Sequence, residues 1–445
     1  MTLRASAGAL LRALPEGLGL RLAPRSLGYG LADIPPPLVL PPGEVRLLVA
    51  PANSAAQGYA WARSAERLPG VGAANLTVVR PGALRFPADA EVPSAVMTHS
   101  RRWSRAQASA VGAAATHVLI ESEQAILGVD FDADPRREAA WLDAAGIAGA
   151  YVSHGSDLRL PSAHAERERW SPFRDAEMPL RDALEATARR NAVFLAEQGR
   201  PVFVSTPDLL TEHPSATWLP MVIAPEQWHT DEPVLRRRRP IVVHAPSNPQ
   251  LKGTALIAGA VERLDAERII DYRPAGSTPH SQMSALYARA DVVLEQFRIG
   301  IYSTTAVEAM AAGRLVLAHI SPDVRAVAER ESGMPLPIVD ADPDDIEAVL
   351  CDVAARPDHY RAIAARGPAY GATSRRSVRR AGACAFPRRS ACLIVRSEDT
   401  RRPPVGSFRR SEAYIRPPVH MKGRLREQHV RRRNGTRSVV LGDRD

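Results

Sequence analysis

The sequence predicts an α/β protein made of two doubly wound units that face a shared cleft, followed by an atypical basic C-terminal tail. Three observations carry this reading. Short runs rich in apolar and β-branched residues alternate with helical stretches from Val45 to Trp228, the alternation restarts after Pro240, and it stops after Arg366. Strands alternating with helices call for a mainly parallel sheet covered on both faces. A chain of 445 residues is also too long for one ordinary core.

Residues 1–43 are rich in Gly, Pro and Leu and end in PPPLVLPPG, which reads as an extended lead-in rather than an element. The first unit spans 45–228. Its expected strands are VRLLVA (45–50), NLTVV (75–79), AVMTH (95–99), THVLIE (116–121), GAYVSH (149–154) and PVFVST (201–206), with helices over 56–68 and 181–198. Near Trp228 the pattern breaks, and HTDEPVLRRRRP (229–240) reads as a linker whose arginine run, 236–239, is a solvated edge. The second unit, 241–366, alternates cleanly: strand 241–245, helix 253–264, strand 267–272, helix 280–289, strand 291–294, helix 305–312, strand 314–319, then helices near 323–330 and 343–355.

Residues 367–445 show little periodicity, with repeated Arg pairs and scattered prolines. They hold 20 of the 58 Lys and Arg but only 6 of the 49 Asp and Glu, a net +14 against −5 for residues 1–366. The chain's overall +9 therefore belongs to the tail, which reads as a disordered extension or as translation of a shifted frame. Its aromatics are not interleaved at regular spacing, so a nucleic-acid partner is disfavoured, whereas docking on a membrane surface stays open.

Three cysteines, Cys351, Cys384 and Cys392, include no CxxC pair and build no disulfide framework. A reducing cytoplasm fits best. The apolar stretch AGALLRAL is interrupted by Arg12, and no apolar run approaches the ~18 residues that span a bilayer. The run VDFDADP offers Asp130, Asp132 and Asp134 without the glycine and glutamate of a calcium loop, and the histidines form no HExxH pair. No metal and no cofactor are expected.

Ligands of doubly wound sheets bind beyond the carboxyl ends of the strands, so the chemistry is sought just after them. Lys252 is the only lysine before residue 422, in a chain that otherwise uses arginine. A compact ammonium with rotatable donors suits a diphosphate oxygen. It follows the strand 241–245 with Ser247, Asn248 and Gly253, the last allowing close backbone approach, at the expected start of a helix. After the strand at 291–294, Thr305 and Glu308 have the T-x-x-E spacing of a capping box, with Ser303 and Thr304 as further hydroxyls. In the first unit, NSAAQGYAW offers Asn53, Gln57 and Gly58 without the GxGxxG or Walker pattern. YVSHGSDLR ends a later strand and offers His154, with Asp157 and Arg159 to orient it or bind substrate. Asp208 and Trp218 read as packing.

On VVHAPSNPQLKGT, LYARADVVLEQ and AVEAMAAGRLVLA, the chain resembles the GT-B glycosyltransferases of family 4 (glycosyl transferases group 1), strongly over 240–355 and mostly in topology over 45–225. The resemblance implies two Rossmann-like domains, a nucleotide-diphosphate sugar as co-substrate on the second domain, and an acceptor on the first. It implies donor-diphosphate contact for Lys252, ribose contact for Glu308 as the second glutamate of E-x7-E, a donor-sugar role for His154, and retention of anomeric configuration. Two positions depart from the pattern: Gly300 stands where the first glutamate is usual, and Ser247 where an arginine is common. The carboxylate that supports the transferred sugar is thus missing from its usual place, with Glu295 as a nearby substitute.

The expected activity is sugar transfer to a glycan, lipid or small-molecule acceptor, with His154 and Lys252 as catalytic residues. The alternatives are a sugar-nucleotide epimerase on the same architecture and a non-catalytic nucleotide-sugar-binding relative whose tail docks elsewhere. The family's final helix commonly crosses back onto the first domain, and none is expected after Arg366.

Overall fold

The computed structural model describes residues 16–22, 27–178, 180–276 and 278–372. The first sheet holds β1 (Val45–Ala50), β2 (Val71–Val79), β3 (Ala90–Pro93), β4 (His117–Glu121), β5 (Ala148–Ser153), β6 (Val202–Val204) and β7 (Thr217–Trp218), in the order β3-β2-β1-β4-β5-β6-β7. The second holds β8 (Ile241–His244), β9 (Asp271–Pro274), β10 (Val292–Leu294), β11 (Leu315–Ala318) and β12 (Ile338–Asp340), in the order β12-β11-β10-β8-β9. Every neighbouring pair is parallel. This is the two-sheet architecture expected. Strand order reverses between β1 and β4 and again between β8 and β10, and these two reversals open the crevices where a doubly wound sheet takes its ligand.

Burial explains why the strands read as continuous apolar runs. Along the second sheet, Val243, Val293 and Val316 enter one core, while Val242, Val292, Leu315 and Leu317 enter the core on the opposite face. The first sheet divides likewise, with Leu48, Val118 and Ile120 on one side and Leu47, Val49 and Leu119 on the other. Helices cover both faces, so alternate residues are equally apolar.

Several expectations are corrected. AVMTH is helical, as Ser94–His99, because β3 ends at Pro93, which cannot extend a ladder, and Thr98 Oγ1 then donates back to Ser94 O at 2.8 Å. The strand expected at 267–272 is displaced to β9, since the preceding helix runs to Ala266 and Ile269 N bonds back to Leu264 O at 2.9 Å. β3, β7 and β12 are further strands that the sequence expectations omit.

The lead-in is not structureless. It includes a helix, Glu16–Leu22, and Glu16 accepts from Tyr29 Oη at 3.0 Å and from Arg102 N at 2.8 Å, while Leu20, Leu38 and Leu40 enter the first core. The arginine run is only partly a solvated edge. Arg239 bonds Ile270 O and Asp265, and Arg237 reaches Asp291 although it is exposed like Arg236 and Arg238. Helical backbone continues over 367–372, where Tyr370 is buried in the second core, so these six residues belong with that unit rather than with the tail. The remainder of the tail, with Cys384 and Cys392, lies outside the described residues. Among the described residues, no helix is long and apolar enough to cross a membrane.

Candidate functional site

The reversal between β8 and β10 places Lys252 beside the loop that follows β10. Its ammonium bonds the Glu295 carboxylate and donates to Ser303 Oγ at 3.0 Å, while Ser303 donates to Glu295 Oε1 at 2.5 Å. Glu295 is buried, Lys252 nearly so, and the second carboxylate oxygen, Glu295 Oε2, has no hydrogen-bond partner. Lys252 is the last residue of the one-turn helix Pro249–Lys252 rather than the first of a longer one. Asn248 is the cap of that turn, accepting from Gln250 N and Leu251 N at 3.1 Å each, and Ser247 is exposed just before it. Gly253 adopts φ +79°, and a Cβ there would sit 2.8 Å from Arg298 Cγ. Its freedom serves the turn between two helices and their approach to Arg298.

Ser303 spends its hydroxyl on Glu295 and Lys252, so the helix Thr304–Ala311 begins without a capping side chain. The expected capping box of Thr305 and Glu308 does not form. Glu308 instead bonds His280 Nε2 at 3.1 Å. Burial holds the Glu308 carboxyl above its usual range, an effect that His280 partly offsets, and the same hydrogen bond raises His280. Glu308, Thr304 and His280 line a cavity of about 120 Å³ with Gln57, Val222 and Trp228, drawing on both units. Phe86 and Trp228 meet the His280 ring edge-on at 5.5 and 5.7 Å. Uncapped amides and an ammonium at one sheet edge suit phosphate oxygens, and a buried carboxylate farther along the helix suits hydroxyl donors.

The first sheet's reversal is organised by Glu121, at the end of β4. Its fully buried carboxylate takes Asn53 N at 2.9 Å and His154 Nε2 at 3.1 Å. The His154 ring stacks on Trp61, centroids 5.5 Å apart, and Trp61 Nε1 donates to Pro220 O at 3.1 Å. Burial disfavours the imidazolium, but Glu121 outweighs it and leaves His154 above its ordinary pKa. The other candidates hold this frame. Asn53 ties Tyr59 N and Pro87 O, Gln57 clasps both the N–H and the carbonyl of Val222, and a Cβ on Gly58 would lie 2.8 Å from Glu121 Oε2. Asp157 accepts from His154 N at 2.7 Å and Gly155 N at 2.7 Å, which sets the loop carrying the imidazole. Arg159 turns to Asp208 at 2.7 Å. Trp218 bridges the packing of both cores, as expected.

Beside His154 lies a cavity of about 1100 Å³, lined by Ser54, Arg80, Glu123, Asp157 and Arg190 among others. Glu123 is buried, held by Ser153 Oγ at 2.7 Å and Asn191 Nδ2 at 3.2 Å, and burial with the nearby Asp157 pushes its carboxyl well above the usual range.

The sequence reading missed Glu121, Glu123, His280 and the seam between the units. In that seam Glu168 meets His319 Nε2 at 3.3 Å and the Ser321 hydroxyl, and Arg298 pairs with Asp175 and with Trp170 O. Gly300 adopts φ +74°, and a Cβ there would collide with Ser321 Oγ and lie 3.0 Å from the Glu168 carboxylate. A glutamate at position 300 would have to displace the Ser321 and Glu168 side chains. Glu121 and Glu123 were legible only as carboxylates ending an apolar strand. His244, also passed over, joins Leu294 O and Thr254 Oγ1, both at 2.8 Å, and pins β8 to β10 next to Lys252.

No family model matches the chain, and no curated protein does. Among solved structures it is similar to sucrose-phosphate synthase from Thermosynechococcus elongatus, at 13% identity over 75% of this chain and 94% of that one, with a TM-score of 0.43. It is similar to HepE from Anabaena in complex with UDP-glucose, at 10% identity over 76% and 99%, TM-score 0.45. A third is WaaG, a glycosyltransferase involved in lipopolysaccharide biosynthesis, at 14% identity over 76% and 99%, TM-score 0.42.

Proposed function

We propose that the chain is a glycosyltransferase that takes its sugar from a nucleotide-diphosphate donor. The observation that carries this is the convergence, at the β8/β10 reversal, of the Lys252 ammonium, the Ser303 hydroxyl and the uncapped start of the helix Thr304–Ala311. These groups neutralise a diphosphate as it departs, without a metal ion. Glu308, buried one turn along that helix, accepts from the ribose hydroxyls, and Phe86, Trp228 and His280 wall the space around it. A cavity of about 120 Å³ is smaller than the ~300 Å³ at which ligand sites usually begin, so the two units part to admit the donor and close on it.

The acceptor enters the large cavity of the first unit, where Glu123, Asp157 and Arg190 offer hydrogen-bonding groups for its hydroxyls. His154, fixed by Glu121 and Trp61, lines this cavity and is the first unit's candidate to act on the transferred sugar. Retention of configuration follows from the family resemblance, and NMR of the product anomer checks it. Isothermal calorimetry with UDP, ADP, GDP and dTDP tests the donor site: Lys252→Ala should weaken the best of these ligands at least tenfold, and unchanged affinity overturns the assignment.

A further inference from the structure

Arg298 stands on the loop that builds the donor site, yet its side chain is held by the other unit. It is buried, and its guanidinium donates to Trp170 O at 2.9 Å, to Ser171 O at 3.1 Å and to the two oxygens of Asp175 at 2.7 and 2.6 Å. All three partners lie on the turn 168–175 of the first unit. That turn is itself fixed: Ser171, fully buried, bonds His164 Nδ1 at 2.7 Å and accepts from Phe173 N at 3.2 Å. Burial and the nearby Arg159 hold the His164 pKa down at about 4, and the neutral ring reaches Ile299 O through Nε2 at 3.1 Å. Two successive residues of the loop are thus gripped from outside their own unit.

On the other side the loop is laced to Lys252. Phe297 N donates to Lys252 O at 2.9 Å, and Gln296 Oε1 takes Arg298 N at 3.2 Å and Ile299 N at 2.9 Å. The turn after Lys252 packs so closely that a Cβ on Gly253 would lie 2.8 Å from Arg298 Cγ. The same loop carries Glu295 and Ser303, which hold the Lys252 ammonium. Taking a guanidinium out of water cancels much of what its ion pair returns, so the pair is weak evidence of stability and points instead to a fixed geometry.

We propose that Arg298 is a positioning residue for donor binding: by holding its guanidinium, the first unit fixes the loop 295–303 so that Lys252 and Ser303 converge on the diphosphate. This rests on the donor-site reading above. The diphosphate site of the second unit is then completed against the turn 168–175 of the first.

The test uses the full chain, whose two lysines, Lys252 and Lys422, give two ammonium NMR signals when lysine is labelled with heavy nitrogen. Lys422→Arg tells them apart. Wild type, Asp175→Ala and Arg298→Met are compared in calorimetric affinity for the best of UDP, ADP, GDP and dTDP, and in the Lys252 signal of the nucleotide-free protein. Asp175 lines neither cavity, so its effect must travel through Arg298. Either substitution should weaken the nucleotide roughly two- to thirtyfold, the span of couplings carried by packed networks, and should move the Lys252 signal. Asp175→Ala leaves the guanidinium its two carbonyl acceptors and keeps the test decisive should Arg298→Met fail to fold. Asp344→Asn removes an exposed ion pair between the same units, with Arg169 at 2.7 Å, and should leave both readouts at their wild-type values. Variants that lose thermal stability but keep both readouts show that the joint merely holds the units together, and overturn the inference while the donor site stands. A weakened nucleotide with an unmoved Lys252 signal also overturns it, because the effect then bypasses Lys252. A wild type that binds none of the nucleotides overturns the inference together with the donor-site reading.

Discussion

Replacing Gly300 with alanine adds one carbon at the seam between the two units, and its cost follows from two independent features. The residue sits at φ +74°, where an L side chain costs about 1–2 kcal/mol. The added Cβ also meets Ser321 Oγ and comes 3.0 Å from the Glu168 carboxylate, an overpacking of about 1–3 kcal/mol. Gly300→Ala should therefore destabilise by roughly 2–5 kcal/mol, lowering Tm by about 4 °C or more for a domain of this size. In a Ser321→Ala background the main collision partner is gone, so the same substitution should cost only about 1–2 kcal/mol, and the cycle should return a coupling of about 1–3 kcal/mol. Thermal and urea unfolding of the four proteins measure this. A Gly300→Ala change within about 0.5 kcal/mol of neutral, or a cycle without coupling, refutes both the strained turn and the reason given for the absence of a glutamate here.

The seam should also respond to pH. His319 has a folded pKa above its ordinary 6.5, because Glu168 more than offsets the opposing effect of burial, so its contribution is full below 6.5 and is lost as pH rises through the elevated value. Glu168 is held below its ordinary 4.5 despite burial, by His319 and Ser321, so its contribution is full above 4.5 and is lost as pH falls through the depressed value. The pair is strongest between these limits, and both slopes of Tm against pH should become shallower in Glu168→Gln; slopes equal to those of the wild type place the titration elsewhere. Trp61→Phe removes the donor to Pro220 O and loosens the ring against His154, and should cost about 1–2 kcal/mol. Its effect on transfer should fall more on kcat than on donor affinity, and equal loss of both would show that the stacking does not position the imidazole. Tyr370→Ala empties a buried site next to Tyr302 and should cost about 3 kcal/mol in urea unfolding, whereas a neutral result would detach 367–372 from the second core.

The sequence by itself determined the two alternating units and made Lys252 and Glu308 stand out, whereas Met221, Ile223 and Trp228, read as part of the first unit, pack in the second core. What it determined are local signals: strands buried on both faces must be apolar throughout, and a lone lysine is visible in a list of residues. The roles of Asn53, Gln57, Gly58 and Gly253 were decided only in three dimensions, where partners up to 165 residues away claim their hydrogen bonds or their space. The same holds for Thr305 and Glu308, whose spacing suits a capping box. The helix goes uncapped because Ser303 serves Glu295 and Glu308 turns to His280. Glu295, Glu121 and Glu168 show the physical reason most clearly. A carboxylate's meaning depends on what is buried against it, and parallel strands bring those neighbours together from distant parts of the chain.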